Sequence, residues 1–238
     1  MTSSPSQPIR LESADSRGEP ASNSMSDADL LSAIAEVRAQ ELSMLTALSA
    51  AQWELRTLCD GWRVREVVAH QTMPFRYSGS RIALELLKSM GQFNRMADRI
   101  AKRDAAALSI EEQLAAIRDN LNNPWKPPGG GLRGALCHDV IHGLDIATPL
   151  GLELHIPHQY LRLSIDQVTG RARNPFGTDL DGTDLRADDS DWTIGSGTPL
   201  HGSTQDLLLV YCGRKLPIGR VKGELAYKFT TGGTDEQH

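Results

Sequence analysis

The sequence predicts a mainly α-helical protein in which a helical bundle is followed by a small α+β domain. Up to Pro149, apolar residues recur at the three- and four-residue spacing of amphipathic helices. After residue 150 the pattern changes, and short extended segments alternate with stretches rich in glycine and aspartate. We therefore expect the bundle over residues 25–150 and the small domain over residues 151–230.

The bundle opens with three helical segments. Ser26 is a favourable N-cap residue, and the apolar spacing of the first helix starts directly after it. A second helix carries His70, and Pro74 predicts a kink or a break near its far end. A third helical stretch is expected over residues 81 to about 103, continuing after Ser109.

A loop rich in proline and glycine then leads to a helix over residues 132–147, which should end near Thr148 and Pro149. The predicted elements of the small domain are a helix at 159–168, a loop at 174–184, extended segments at 184–187, 192–194 and 221–229, and a helix at 205–211 capped by Ser203 or Thr204.

Composition limits the classes of partner. The formal net charge of the 238-residue chain is −5, and basic residues form no block. Because phosphate binding needs clustered Lys and Arg, these values argue against nucleic acid and against an anionic membrane surface. The sequence also has no run of about 18 apolar residues, the length that a membrane-spanning helix requires.

The chain ends and the cysteines suggest a cytoplasmic protein. Residues 1–24 are rich in serine and proline and lack an apolar core, which predicts a disordered leader rather than a secretory signal. Residues 231–238 are likewise expected to form a disordered tail. An odd number of widely spaced cysteines predicts free thiols in a reducing compartment. We interpret Cys59, Cys137 and Cys212 as buried, inert thiols.

Three histidines carry the strongest chemical signal. In a helix over residues 132–147, His138 and His142 lie four positions apart, which places both imidazoles on one face. His70, in an apolar run on another helix, would complete a set of three nitrogens with one open position, the pattern of catalytic zinc sites. The pattern also fits core or surface histidines that form only hydrogen bonds.

Three sequence blocks, in this order, resemble one known family. The blocks are CDGWRVREVVAH at residues 59–70, HDVIHGLD at 138–145, and DDSDWTIG at 188–195 together with GSTQDLLLVYCGR at 202–214. They are similar to motifs of the DinB-like, mycothiol-dependent maleylpyruvate isomerase family. The resemblance implies a four-helix bundle that holds one divalent metal, usually zinc, a smaller domain that closes over the site, and mycothiol as cosubstrate.

The resemblance also assigns residues. It makes His70, His138 and His142 the metal ligands, and it makes Asp145 and Arg214 candidate catalytic residues, with Arg220 as a rival to Arg214. Asp145 could orient an imidazole or move protons, or it could only form local hydrogen bonds near the helix end. Arg214 could clamp a substrate carboxylate, or it could be a solvated arginine at a helix end.

Two positions depart from the family pattern. The isomerase-like members resemble this chain but have Glu at the position of His138. This difference argues against the isomerase reaction and leaves the metal site unaffected. Arg63 replaces the Ser or Thr that caps the second helix, which leaves Asp60 as the alternative cap. Asp139 is expected either to support the ligands from outside the ligand set or to lie at the surface. We interpret Trp62 and Trp192 as residues that fill the core rather than as platforms for a ligand.

The leading functional hypothesis is a cytoplasmic metalloenzyme that activates a low-molecular-weight thiol. The thiol would be transferred to a small electrophile or would catalyse its isomerisation, with zinc or another divalent metal at the three histidines. Two alternatives stay open: a thiol-independent, metal-dependent hydrolase, and a non-enzymatic, metal-stabilised binding module. The sequence leaves the substrate and the oligomeric state undetermined.

Overall fold

The structure, a computed structural model, describes residues 25–170 and 176–231. Its α-helices are α1 (Asp27–Thr46), α2 (Ala50–Trp53), α3 (Val64–Arg76), α4 (Gly79–Lys88), α5 (Phe93–Ala107), α6 (Ile110–Arg118), α7 (Gly131–Leu150), α8 (His158–Thr169) and α9 (Thr204–Tyr211). Its strands are β1 (Thr183–Ala187), β2 (Thr193–Gly195), β3 (Thr198–Gly202) and β4 (Val221–Lys222), followed by a 3-10 helix (Ala226–Phe229). The predicted class, mainly helical with a small α+β part, is confirmed.

Helices α1, α3, α6 and α7 pack on one another as the four-helix bundle, and α5 covers the outer side of α3. As predicted, α1 begins after Ser26, whose hydroxyl accepts the backbone N–H of Asp29 while the Asp29 carboxylate accepts the backbone N–H of Ser26. This reciprocal cap satisfies donors that the first turn leaves unpaired. Helix α7 is buried along almost all of its length, because α1, α3, α8 and α9 surround it.

The predicted helix over residues 81–103 is wrong, because the structure divides it into α4 and α5. The chain reverses at Met90 and Gly91, which adopt φ angles of 54° and 75°. A right-handed helix cannot continue through two residues of positive φ. Gly91 was the available sequence signal for this turn, since glycine adopts that conformation without steric cost.

Helix α7 ends at Leu150, beside the predicted boundary at Thr148 and Pro149, and Gly151 follows with a left-handed φ of 64°. Helix α3 continues for two residues past Pro74 and ends at Arg76. A proline that close to the C-terminus of a helix disturbs only the last turn. Asp60 does not cap α3. The Glu66 carboxylate accepts the backbone N–H of Arg63 instead.

The small domain contains a sheet of strand order β2-β1-β3-β4, in which β1 and β3 are parallel and the other pairs antiparallel. Strand β3 was not predicted, since Pro199 and Gly202 disfavour a strand by sequence. The predicted segment 221–229 is extended only at Val221–Lys222 and then forms the 3-10 helix. A Cβ at Gly197 would lie 2.3 Å from the Gly182 carbonyl oxygen, so the turn from β2 to β3 requires glycine.

The core joins the two parts of the chain. One continuous apolar cluster includes residues of α1, α7, α8, α9 and the sheet, and a second lies between α1, α3, α6 and α7. The predicted leader 1–24, and the tail from residue 232 onward, lie outside the described residues. Among the residues that are described, no helix combines the length and apolar character needed to cross a membrane.

Candidate metal centre

The three histidines predicted from the sequence converge in the structure. His70 extends from α3, and His138 and His142 extend from one face of α7. The Nε2 atoms of His70 and His138 lie 3.4 Å apart, and the His142 ring centroid lies 4.9 Å and 4.8 Å from those of His70 and His138. One nitrogen of each ring lies within 4.8 Å of the other two.

This nitrogen set fits a tetrahedral metal ion. With Zn–N bonds of about 2.0–2.1 Å, two ligand nitrogens lie about 3.3–3.4 Å apart, close to the observed Nε2 separation. Burial and the neighbouring histidines lower the pKa values of His70 and His142, which favours the neutral imidazoles that metal ions require. The residues present therefore suit a divalent metal.

Asp139 supports the His138 ring from outside the ligand set, which is the first of the two positions expected for it, and it does not lie at the surface. Its Oδ1 lies 2.9 Å from His138 Nδ1, and its Oδ2 accepts a hydrogen bond of 2.7 Å from Arg38 Nε. Arg38 also donates to the backbone carbonyls of Asn120 and Asn123, so it ties α1 and the 120–123 loop to α7. Sequence reasoning missed Arg38, because no local pattern distinguishes it from a surface arginine of α1.

Asp145 holds the His142 ring in the same way. Its Oδ2 lies 3.1 Å from His142 Nδ1, and Arg214 donates Nε to Oδ1 at 2.8 Å and Nη2 to Oδ2 at 2.9 Å. Asp145 is fully buried, yet Arg214 and His142 hold its pKa below the usual range. A carboxylate so well supplied with donors is a poor proton acceptor and a good orienting group.

Arg214 is largely buried against Asp145 of α7. It follows α9, and its side chain reaches Asp145 on α7, so it is not a solvated helix-end arginine. Its rival Arg220 instead pairs with Asp206, with Nη2 2.7 Å from Oδ1. Arg214 also donates from Nη1 to the carbonyl of Cys212, so much of its donor capacity is committed within the protein.

Cys59 is buried, as predicted, and it lies beside the His142–Asp145 pair. Its Sγ lies 2.9 Å from Asp145 Oδ2, 3.7 Å from His142 Nδ1 and 3.6 Å from Arg214 Nη2. Burial and the Asp145 carboxylate raise the pKa of the thiol, so it keeps its proton. The signal that could have identified it is the Cys-x-Gly-Trp segment that opens the first resemblance block.

A second group of possible cation ligands consists of Cys59, His142 and Asp145. The Arg214 guanidinium already supplies a positive charge there, so we interpret these three residues as partners in an ion-pair network and not as a second metal site. The other two cysteines behave as predicted, since both are buried and none of the three forms a disulfide. Cys137 directs its thiol toward the Ser164 carbonyl oxygen at 3.7 Å.

The histidines face a cavity of about 680 Å³, within the ~300–1,000 Å³ range of small-molecule sites. The polar lining includes the three histidines, Cys59, Asp60, Asp98 and Arg214, and the apolar lining includes Trp62, Phe93, Ile141, Val168 and Phe176. Trp62 therefore lies between the core and the cavity: it is partly buried against one apolar cluster and also lines the cavity. Its ring lies 5.0 Å from that of His70, and its Nε1 donates to Asp98. Trp192 is buried in the core as predicted.

Comparison with known proteins agrees with this architecture. Residues 34–123 match the family model described as "Mycothiol maleylpyruvate isomerase N-terminal domain". The crystal structure of the mycothiol-dependent maleylpyruvate isomerase is 14% identical, with a TM-score of 0.57 over 85% of this chain and 94% of that chain. A histidine-to-alanine mutant of the isomerase gives 14% identity and a TM-score of 0.56 over the same shares. No curated protein matches the chain. At this identity the structural likeness shows the fold, a DinB-like bundle with a small α+β domain.

Proposed function

We propose that this chain, whose residues 34–123 match the family model of the mycothiol maleylpyruvate isomerase N-terminal domain, is a metal-dependent enzyme acting with a low-molecular-weight thiol of the mycothiol type. The thiol would be transferred to a small electrophile or would catalyse its isomerisation. The observation that carries this proposal is the convergence of three imidazoles, two of them held by buried carboxylates, at the wall of a ligand-sized cavity.

His70, His138 and His142 would hold the metal, and zinc suits a set of three neutral nitrogens with one open position. When bound, zinc supplies a charge of about +2 that no ligand charge offsets, and this lowers the pKa of a thiol or water at the open position. Residues behind the ligands fix the orientation of the imidazole rings. Asp139 and Asp145 hold two of the rings with the Nδ1 atoms engaged, which leaves Nε2 available.

Asp145 and Arg214 take different roles in this proposal. Asp145 is a positioning residue, because its oxygens already face His142, Arg214 and Cys59. Arg214 lines the cavity, and the N–H groups that Asp145 and the Cys212 carbonyl do not engage can donate to an anionic oxygen of substrate or thiol. We therefore assign Arg214 to substrate binding. The cavity would bind the thiol and the electrophile side by side.

The test combines metal analysis with thiol-dependent turnover. Protein reconstituted with zinc should contain about one ion per chain and should convert an electrophile from a test panel only when thiol is present. His142→Ala should lose both metal and turnover. His158→Ala, at the exposed start of α8, is the matched control and should retain both.

Absence of stoichiometric metal after reconstitution would overturn the metal assignment. Turnover of esters or amides without thiol would favour the hydrolase alternative, because hydrolysis needs the same three metal ligands but no thiol. A metal-loaded protein in which a side chain of the protein occupies the fourth position would favour the binding module.

A further inference from the structure

Cys59 lies at a junction of three parts of the molecule. The loop that carries it is a tight turn, in which the backbone N–H of Thr57 bonds to the Trp62 carbonyl and the Cys59 N–H bonds to the Thr57 hydroxyl. The adjacent backbone N–H of Leu58 donates to the carbonyl of Asp145 at 3.0 Å, which attaches the loop to α7. The loop thereby directs the Cys59 side chain to the Asp145 carboxylate.

The contacts of Asp145 Oδ2 show what the thiol contributes. This single oxygen lies within hydrogen-bond distance of His142 Nδ1, Arg214 Nη2 and Cys59 Sγ. At 2.9 Å from an anionic oxygen, the sulfur must present a proton rather than a lone pair. With the thiol removed, Oδ2 would lose one of its three donors, and only Arg214 and His142 would hold the carboxylate.

We propose that Cys59 is a positioning residue for the metal centre. Its S–H holds the Asp145 carboxylate in the orientation that accepts the His142 Nδ1–H, which keeps that ring in the tautomer with Nε2 directed at the metal position. The effect on metal affinity rests on the function proposed above. The effect on the His142 tautomer does not, because all its contacts are present without the metal.

Three variants test the proposal. Cys59→Ala removes the donor, Cys59→Ser keeps a donor at the same position, and Ser164→Ala removes a buried hydroxyl of α8 that does not line the cavity. Zinc affinity is measured by competition with a chromophoric chelator. We expect Cys59→Ala to weaken affinity about 10-fold, in the usual range for groups behind a ligand, and Cys59→Ser and Ser164→Ala to stay within about threefold of the parent.

The second measurement uses the metal-free protein. Histidine ring ¹⁵N spectra at one fixed pH should show His142 protonated at Nδ1 in the parent and in Cys59→Ser, and a mixture of tautomers in Cys59→Ala. An unchanged tautomer in Cys59→Ala would overturn the proposal. So would equal behaviour of the Ser and Ala variants, because the thiol would then act only by filling space.

The two proposals can fail separately. If the parent protein binds no zinc, the proposed function fails, and the tautomer spectra still decide the role of Cys59. If the parent binds zinc and Cys59→Ala binds it equally well, the role of Cys59 fails and the metal centre stands.

Discussion

At the scale of single residues, the centre repeats one arrangement twice. His138 is held by Asp139 and Asp139 by Arg38, while His142 is held by Asp145 and Asp145 by Arg214. In each case the arginine compensates the carboxylate charge, so a buried anion can support a neutral imidazole. The rings are thereby held by contacts within the protein alone.

A third buried carboxyl group near the centre has no arginine bonded to it. Glu41 on α1 is 2% exposed and accepts a hydrogen bond from Gln71 Nε2, next to His70. Burial and the nearby Asp139 charge raise the pKa of Glu41 to about 8, and the charge of Arg38 offsets this only in part. The folded protein therefore keeps Glu41 protonated at neutral pH.

Glu41→Gln should change the pH dependence of stability. Between its ordinary pKa of 4.5 and the folded value of about 8, the folded state binds a proton that the unfolded state has lost. The stabilisation from this proton is complete at low pH and is lost as the pH rises through this window, so the free energy of unfolding falls with pH. Glutamine does not ionise. Between pH 5 and pH 8, the free energy of unfolding of the variant should therefore fall by about 2–4 kcal/mol less than that of the parent.

Urea unfolding of parent and variant at both pH values measures this difference. Glu111→Gln, at an exposed ion pair of α6, is the control and should follow the parent at both pH values. Parallel pH profiles for Glu41→Gln and the parent would show that Glu41 titrates normally in the folded protein.

At the scale of elements, α7 carries most of the site. Helical periodicity places His138, His142 and Asp145 along one face, whereas Asp139 is rotated by about 100° toward Arg38 on α1. The helix can present polar groups on both faces because it is surrounded by other helices, so each group finds a buried partner.

At the turn between α4 and α5, substitutions at two adjacent residues should change the stability in opposite directions. Met90 is a non-glycine residue at φ 54°, 71% exposed, so Met90→Gly should relieve backbone strain at little loss of burial. We expect a gain of about 0.5–1 kcal/mol in the free energy of unfolding. Gly91→Ala should lose about 1 kcal/mol, because its φ is 75° although nothing lies within 4 Å of the added Cβ.

Denaturant unfolding of both variants provides the measurement. A destabilised Met90→Gly together with an unaffected Gly91→Ala would contradict the described turn. It would support the continuous helix expected from the sequence.

At the scale of the whole molecule, the apolar core lies apart from the candidate metal centre. The two main apolar clusters extend through the bundle and the small domain, and the histidines lie beside a cavity rather than inside these clusters. Burial of apolar surface on this scale provides the dominant stabilisation of a domain. The fold should therefore persist without the ion.

Removal of the metal by a chelator should leave the far-UV circular dichroism of the helices nearly unchanged. The melting temperature should fall, and it should rise again with added zinc, because a ligand that binds only the folded state stabilises it by mass action. His142→Ala should show no zinc-dependent rise. Loss of helical signal on chelation would instead make the site structural, as in domains that fold only with metal.

The sequence by itself determined what depends on near neighbours along the chain. The spacing of His138 and His142 and the cap at Ser26 could be read directly, because helical geometry relates residues three and four positions apart. The mainly helical class with a small α+β part followed from the same periodicity. The apolar run around His70 made it a candidate third ligand, and the resemblance of the motifs assigned it to the metal and added Arg214; no local pattern encodes the proximity of either residue to α7.

Only the tertiary structure decided which distant groups meet. Arg38 reaches Asp139 across 101 residues of sequence, and the Cys59 thiol reaches Asp145 across 86. Such pairs depend on how helices pack and on where a loop docks, and burial then requires each polar group to find a partner. Side chains that look like surface or core residues in the sequence thereby become the groups that hold the centre.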